Sequence, residues 1–480
     1  MSATVTVDIG TTGVKLCVFS AEGVLLASDR HRTPTVPDAW GEVYDLPALM
    51  SVVESFMMRL PADQRHEIGR IAFTSVGESG GLVRKDLSLA SPMILWHDHR
   101  GAEHLNALDA AARTNIYRTT GLPANANYGI SKTAWAAHRA GSIEDAQWLN
   151  IAEYLAAELT GKRWSEWSLA SRTMALGLED RAWSESVTSL FGLPTSVFPE
   201  LRPATYGATI ATRYAIRLGL PEKTSVHVAG HDHMVGAVGA ELQPGELLNS
   251  TGTTEGLLFL NERPSLEPRF EEAKLANGIA STADYYTLFA SIPTGGSAFE
   301  TLQAMFDLRP DELERVIDEL HEDYLDNRID LSSVPLVVPA FRGSPPPTKD
   351  AAARGIVSGI HSRTTTADLV FGTFLGMVLQ FADVLELFGV EPSIIKVIGP
   401  ASRNPLWLQL KADLLNTELS VSQFPEVVSR GAHALANSTH VSWLDTTPRS
   451  VMPDHSRHRR LCDWSGHVRK RWEHLKATPR

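Results

Sequence analysis

The sequence predicts an α/β protein of two related domains facing a shared cleft. Strand-like and helix-like segments mix throughout the 480 residues, the pattern of that class. The triplet Gly10-Thr11-Thr12 recurs as Gly252-Thr253-Thr254 in the second half, each time in a tight turn between strand-like runs. Such spacing points to an internal duplication. Between the two turns, residues 224–228 alternate as a strand that stops at Gly230, presents Asp232 between His231 and His233, and enters the small apolar run 234–240.

The N-terminal elements follow from local pattern. Residues 4–7 read as a strand, Asp8-Ile9-Gly10-Thr11-Thr12-Gly13 as a turn, and residues 14–19 and 24–28 as two further strands around Glu22-Gly23. A turn of this kind sets backbone N–H groups and two hydroxyls around a concavity suited to phosphate. Asp8 stands where a carboxylate can hold Mg²⁺, and Lys15 is close enough in sequence to reach the same anion. A plain hairpin with polar turn residues accounts for the same string.

Strands are expected at 71–76 and 93–96, and helices at 102–112, 132–139, 151–159 and 183–191. Residues 246–249 and 256–260 flank the second turn, Ser250-Thr251-Gly252-Thr253-Thr254-Glu255. A charged helix at 311–326, buried strands at 336–339 and 394–398, and a helix at 407–415 complete the pattern. The Pro-rich stretch 342–348 reads as a surface loop near the cleft. Asp232, at a strand-to-helix junction, has two readings: a general base or an N-terminal cap of the helix that follows.

Composition narrows the function classes. With 43% hydrophobic and 21% charged residues and a net charge of −12, the chain reads as an ordinary globular protein. No broad nucleic-acid or anionic-membrane surface is expected. The basic residues between 457 and 471 read as a solvated terminal helix. Cys17 and Cys462 fit neither a redox nor a zinc spacing, and with no signal-peptide pattern at the N-terminus they suggest a cytoplasmic protein. The apolar run 369–388, interrupted by Gly372, Gly376, Gln380, Asp383 and Glu386, is expected to be a buried helix. P-loop and Rossmann fingerprints are absent. Gly77-Glu78-Ser79-Gly80-Gly81 fits a nucleophile elbow in string only, since residues 82–88 read as strand and turn where that motif needs a helix.

Read together, the motifs resemble the FGGY carbohydrate kinases of the sugar-kinase, Hsp70 and actin superfamily. The likeness runs from about residue 4 to about 436. It rests on Asp8-Ile9-Gly10-Thr11-Thr12, the segment 94–100 with Trp96, Asp98 and Arg100, Thr120-Gly121-Leu122-Pro123 with Ser131-Lys132, and 148–161. It continues through residues 168–172, Gly230-His231-Asp232, Ser250-Thr251-Gly252-Thr253, Arg354-Gly355 and the signature 398–413.

The resemblance implies two ribonuclease-H-like (actin-like ATPase) domains flanking a catalytic cleft: residues 1–242 for sugar, 243–445 for nucleotide, and a tail at 446–480. It implies transfer of the ATP γ-phosphoryl to a sugar, ketose or polyol hydroxyl. Asp232 is then the general base, Asp8 the Mg²⁺ ligand, and Glu78, Ser79, Asp98, Asp232 and His233 the substrate side. Gly10, Thr11, Thr12, Lys15, Thr251, Gly252, Thr253, Gly399, Pro400, Ala401 and Asn404 bind nucleotide and phosphate. A homodimer is the default assembly, and a catalytically weak sugar-binding or regulatory protein is the alternative on the same fold.

Three departures from the family stand out. Glu78, Ser79 and Gly80 occupy a segment that is Gln-Met-His in many relatives, and an ionised Glu accepts hydrogen bonds where Gln also donates. His231 and His233 flank Asp232 where Gly and Asn or Gln are frequent, and either imidazole could contact substrate or simply pack. The nucleotide signature opens Gly399-Pro400 in place of Gly-Gly, which removes a backbone N–H.

Overall fold

A computed structural model describes residues 2–439 and 446–478. The first sheet is built on β1 (Ala3–Ile9), β2 (Gly13–Phe19), β3 (Leu25–Arg32), β4 (Ile68–Ser75), β5 (Gly207–Thr209) and β6 (Ser225–His231). Its spatial order is β5-β6-β4-β1-β2-β3. β1, β2 and β3 run antiparallel in sequence, whereas β4 pairs parallel with β1 and β6 parallel with β4.

The second sheet repeats that plan. It contains β7 (Leu247–Thr251), β8 (Glu255–Asn261), β9 (Ala276–Ile279), β10 (Tyr286–Ile292), β11 (Ile395–Ile398), β12 (Leu419–Val421) and β13 (Arg449–Val451), ordered β9-β10-β8-β7-β11-β12-β13. The antiparallel series β7-β8-β10, then parallel β11 and β12, matches β1-β2-β3 and then β4 and β6. The duplication suggested by two short turns is therefore a duplication of topology.

Strand β1 shows why the first sheet is buried on both faces. Val5, Val7 and Ile9 point into one apolar core with Leu49, Val53, Phe73 and Leu155. Thr4, Thr6 and Asp8 alternate to the other face and are buried as well. That face is covered by a helix from the second half, Val427–Asn437, whose Asn437 donates to Thr4 Oγ1 at 2.9 Å. Outer strand β3 alternates half-buried and exposed positions along its length and carries Asp29, Arg30 and Arg32, charges that guard a sheet edge.

Four helices matter for the site: α1 (Asp232–Gly239), α2 (Thr366–Glu386), α3 (Pro405–Leu415) and α4 (Val427–Asn437). Gly239 and Gly431 let α1 and α4 touch backbone to backbone, since a Cβ at Gly239 would lie 2.0 Å from Val427 O and one at Gly431 2.1 Å from Val235 O. Helix α2 is apolar and long enough to cross a membrane by composition, but most of it is buried, with Phe371, Phe374 and Val378 in the second core.

Some local expectations change. Residues 93–96 form only isolated bridges through Ile94 to Val43 and Gly80. The helix expected at 102–112 is two, Ala102–Asn106 and Ala110–Thr120, because Asp109 caps the second through Ala112 N. The region 183–191 breaks into a strand end, the short helix Glu185–Thr188 and a 3₁₀ turn. The terminal segment is no solvated tail: β13 joins the second sheet, and helix α5 (His455–Ala477) buries Leu461, Trp464, Val468 and Trp472. Its basic residues are partly spoken for, since Asp383 accepts from Arg469, Trp472 and Lys476.

Candidate active site

The two sheets deliver their polar residues to single edges. Asp8 of β1 and Gly230 of β6 both pair with Thr74 of the strand between them, and Ile9 and His231 both pair with Ser75. Asp8, the loop after β4 with Glu78, and Asp232 therefore leave the first sheet at the same carboxyl-terminal edge. In the second sheet Ser250 pairs with Ile398, so Thr251 and Gly399 leave together.

Asp232 opens α1, directly after a bulge in β6 around Gly230, whose φ is 124°. A side chain at Gly230 would collide with Ser168 Oγ at 2.3 Å and Ser281 Oγ at 2.7 Å. Asp232 Oδ1 accepts from its neighbour His233 N at 2.7 Å and lies 3.3 Å from His231 Nε2. Burial raises the carboxyl above its ordinary range and Glu78 adds to that, while His233 and Lys15 oppose it. A base tuned upward towards working pH is what proton abstraction favours. His233 does not point into solvent: its Nδ1 meets Ser250 Oγ at 2.9 Å and its ring packs 4.9 Å from Phe289.

Around the first turn, Gly10 N donates to Gly13 O at 3.0 Å, and Thr33 Oγ1 to Gly10 O at 2.8 Å. Thr11 and Thr12 are exposed, and Thr11 Oγ1 accepts the indole N–H of Trp96 at 2.9 Å. Lys15 Nζ bridges Asp8 Oδ2 at 3.6 Å and Glu426 Oε2 at 3.5 Å. Burial pushes the Asp8 carboxyl up to about 6 against the pull of Lys15. Asp8 Oδ1 is buried and has no hydrogen-bond partner. No group of three or more candidate metal ligands occurs among the described residues. A single carboxylate with an unused oxygen suits Mg²⁺, which is commonly held by one or two carboxylates plus phosphate oxygens.

On the first domain's side, Glu78 Oε1 accepts from Arg172 Nε at 2.9 Å and Nη2 at 2.6 Å. Arg172 is buried and lies over the rings of Tyr128 and Phe289. Ser79 is buried and turned towards Asn150, whose amide reaches Ser79 O at 3.1 Å and Oγ at 3.4 Å. The strand Gly81–Val83 follows it, so no nucleophile elbow forms. Both Asp98 oxygens accept from Arg100, which also pairs with Asp38. Lys132 is fully buried, donates to Trp96 O at 3.0 Å and to Asn127 O, and burial holds its ammonium down to about 8. Directly after the Pro-rich loop, burial lowers Lys349 to about 8, with Arg172 adding to the shift and Glu78 opposing it.

At the second edge, Thr251 Oγ1 donates to Ile398 O at 2.8 Å. Gly399 has φ 100° and sits against Thr251, where a Cβ would lie 2.7 Å from the carbonyl. Pro400 begins the 3₁₀ turn Pro400–Arg403, and Ala401 and Asn404 are buried behind it. Asn404 caps α3 through Trp407 N at 3.0 Å, while its Nδ2 has no partner.

Several contributors escaped the sequence reading. Thr294-Gly295-Gly296-Ser297 docks on the second turn, with Gly296 N donating to Gly252 O at 2.8 Å and Gly295 N to Thr253 O at 3.2 Å. The Thr294 and Ser297 hydroxyls are buried without partners. A Thr-Gly-Gly-Ser string before an apolar helix was the available signal. Arg172 and Ser168 lay in a family-like block, but nothing in the string gave their partners.

Two phosphate-type turns on duplicated sheets, with an aspartate between them, invite comparison with known proteins. Residues 3–239 match the N-terminal domain of the FGGY family of carbohydrate kinases, and residues 247–440 match its C-terminal domain. The chain belongs to the FGGY family.

It is similar to the glycerol kinase of Haloarcula marismortui, 25% identical over 482 residues covering 92% of this chain and 90% of the relative. Glycerol kinase 1 of Lactiplantibacillus plantarum is 26% identical over 467 residues, covering 92% and 89%. Among solved structures, the ligand-bound xylulose kinase of Lactobacillus acidophilus superposes with a TM-score of 0.88 at 19% identity, covering 100% of this chain and 99% of that one. Plasmodium falciparum glycerol kinase with ADP gives 0.85 at 20% identity and 98% coverage of each. These neighbours share the two-domain actin-like fold. As an FGGY member, the chain is a carbohydrate kinase that uses ATP.

Proposed function

We propose that the chain transfers the γ-phosphoryl group of ATP to a hydroxyl of a small sugar, ketose or polyol, with Asp232 as general base. One observation carries this reading. Asp232 stands at the shared edge with one carboxylate oxygen engaged, its carboxyl raised by burial, beside the Glu78–Arg172 pair. Phosphoryl transfer asks little covalent chemistry of a protein and much positioning. Asp232 takes the proton of the attacking hydroxyl. Glu78, fixed by Arg172, accepts from a second substrate hydroxyl, and Asp98 with Arg100 supports the Trp96 segment behind Thr11.

On the nucleotide side, the Thr11-Thr12 and Gly252-Thr253 turns and Lys15 bind phosphate oxygens, with Thr251 and Gly399 fixing the second turn. Ala401 and Asn404 lie beside the nucleoside. Asp8 fits as the protein ligand of Mg²⁺, which would neutralise charge on the transferring phosphate. Ser79 serves the loop rather than the substrate.

Glycerol, xylulose and gluconate are named for relatives and structural neighbours, so they belong on the test panel with other ketoses, aldoses and polyols. ADP release with Mg-ATP is measured for wild type and Asp232→Ala. A substrate-dependent signal that vanishes in the variant supports the reading. Turnover that survives in Asp232→Ala removes Asp232 as base, and a silent panel with sugar binding retained favours the regulatory alternative.

A further inference from the structure

The imidazole next to Asp232 has no part in the scheme above. His231 closes β6, its side chain is only 5% exposed, and its Nε2 stands 3.3 Å from Asp232 Oδ1. The seat is fitted to this ring, because a Cβ on Gly77 would lie 2.7 Å from His231 Cδ2. The backbone is held from behind. His231 N donates to Ser168 Oγ at 2.8 Å, and that hydroxyl donates to the buried Glu166 Oε2 at 2.5 Å.

The proton's position follows from partners. Nδ1 is buried and has none. A proton on Nδ1 would orphan that N–H and turn the Nε2 lone pair against a carboxylate oxygen. A proton on Nε2 makes the same contact attractive. Burial, Arg172 and His233 hold the ring well below the ordinary histidine range, which disfavours the doubly protonated form. Lys15, Glu78 and Asp8 act on Asp232 from the other elements around it.

We propose that His231 is a positioning residue for the base, presenting Nε2–H to Asp232 Oδ1 so that Oδ2 is the oxygen turned to the sugar hydroxyl. Together with the His233 N–H, this puts two donors on one oxygen and fixes the carboxylate plane. A contact of 3.3 Å is long for a hydrogen bond, and such contacts tighten when substrate closes the site.

The inference rests on Asp232 being the base, so wild type and Asp232→Ala are assayed first. A wild type without turnover, or an Asp232→Ala variant that keeps it, removes that premise. Given turnover that depends on Asp232, His231→Ala, His231→Asn and His231→Gln are compared at saturating ATP. Gln extends an amide N–H to the Nε2 position, whereas Asn stops short. The expected result is a loss in kcat of about tenfold to a hundredfold for Ala and Asn, as for misplaced reacting groups, with sugar KM within about twofold and most of kcat restored by Gln. Equal kcat in wild type and all three, or equal loss in Asn and Gln, overturns the positioning role. Should the Ala variant fail to fold, the Asn and Gln pair still decides.

Discussion

His233 and Ser250 join the two halves of the chain. The imidazole Nδ1 of the residue after Asp232 meets the hydroxyl that leads into the turn at residues 251–254, at 2.9 Å. Because β6, which leads into His233, and β7, which carries Ser250, belong to different sheets, this bond links the two halves. Under the proposed function, it ties the sugar side directly to the nucleotide turn.

Ser250→Ala tests that hold. A neutral hydrogen bond contributes about 1 kcal/mol, roughly fivefold in an equilibrium. ATP affinity measured by calorimetry with and without sugar is expected to lose about that much of its coupling, while sugar affinity alone stays near wild type. Unchanged coupling would place the communication between domains elsewhere, with the packed α1–α4 glycines as the next site to alter.

Glu78 and Arg172 form an ion pair on the side proposed for the sugar, where substitution is expected to tell most. Both side chains are nearly buried, at 12% and 5% exposure, so removing one charge strands the other. Breaking such a pair costs about 3–5 kcal/mol. Glu78→Gln is therefore expected to lower the thermal midpoint and to raise sugar KM by more than about tenfold, with ATP KM little changed. A sugar KM within about twofold of wild type would mean that Glu78 serves Arg172 alone.

Much of this architecture was legible because its signals are local. Asp8 with its Gly-Thr-Thr turn, and Gly230 ahead of Asp232, combine a strand end, a glycine and a polar residue in a few positions, and at Gly230 the backbone requires the glycine. The order of the strands in space was not legible, because β4 joins β1 and β6 joins β4 through long crossovers whose pairing no short string records. Ser79 illustrates the limit at the site. Its neighbours in sequence placed it beside Glu78, but only the fold shows Asn150 behind it. The terminal helix failed similarly: its sparse Leu461, Trp464, Val468 and Trp472 form an apolar stripe that a basic composition hides.

The carboxyls beneath β6 make stability depend on pH. Burial raises Glu166 to about 8, with Glu153 adding to the shift, and raises Glu153 itself to about 7. The folded state then keeps protons that the unfolded chain releases in the ordinary carboxylate range, so it binds more protons between those limits. Stability falls as pH rises wherever the folded state holds the excess. The thermal midpoint is expected to decline from about pH 5 towards pH 8. Glu166→Gln, which keeps an acceptor for Ser168 without an ionisable proton, is expected to flatten that decline. A wild type and variant with parallel midpoint-against-pH curves would show that Glu166 ionises normally.

Gly399 and Pro400 make opposite predictions from adjacent positions. Gly399 holds φ 100° and ψ 168° against the Thr251 carbonyl, a conformation essentially reserved for glycine whose cost for other residues is about 1–3 kcal/mol. Gly399→Ala is expected to destabilise the second domain and weaken ATP binding together. Pro400, by contrast, occupies the first position of its 3₁₀ turn, where a backbone N–H has no partner within the turn and the fixed φ is already suitable. Restoring the N–H with Pro400→Ala is expected to leave ATP KM within about threefold, less than the contribution of one hydrogen bond. A tenfold fall in ATP KM would overturn this, because it would show that nucleotide phosphate or ribose needs that N–H and that this chain trades affinity for a stiffer turn.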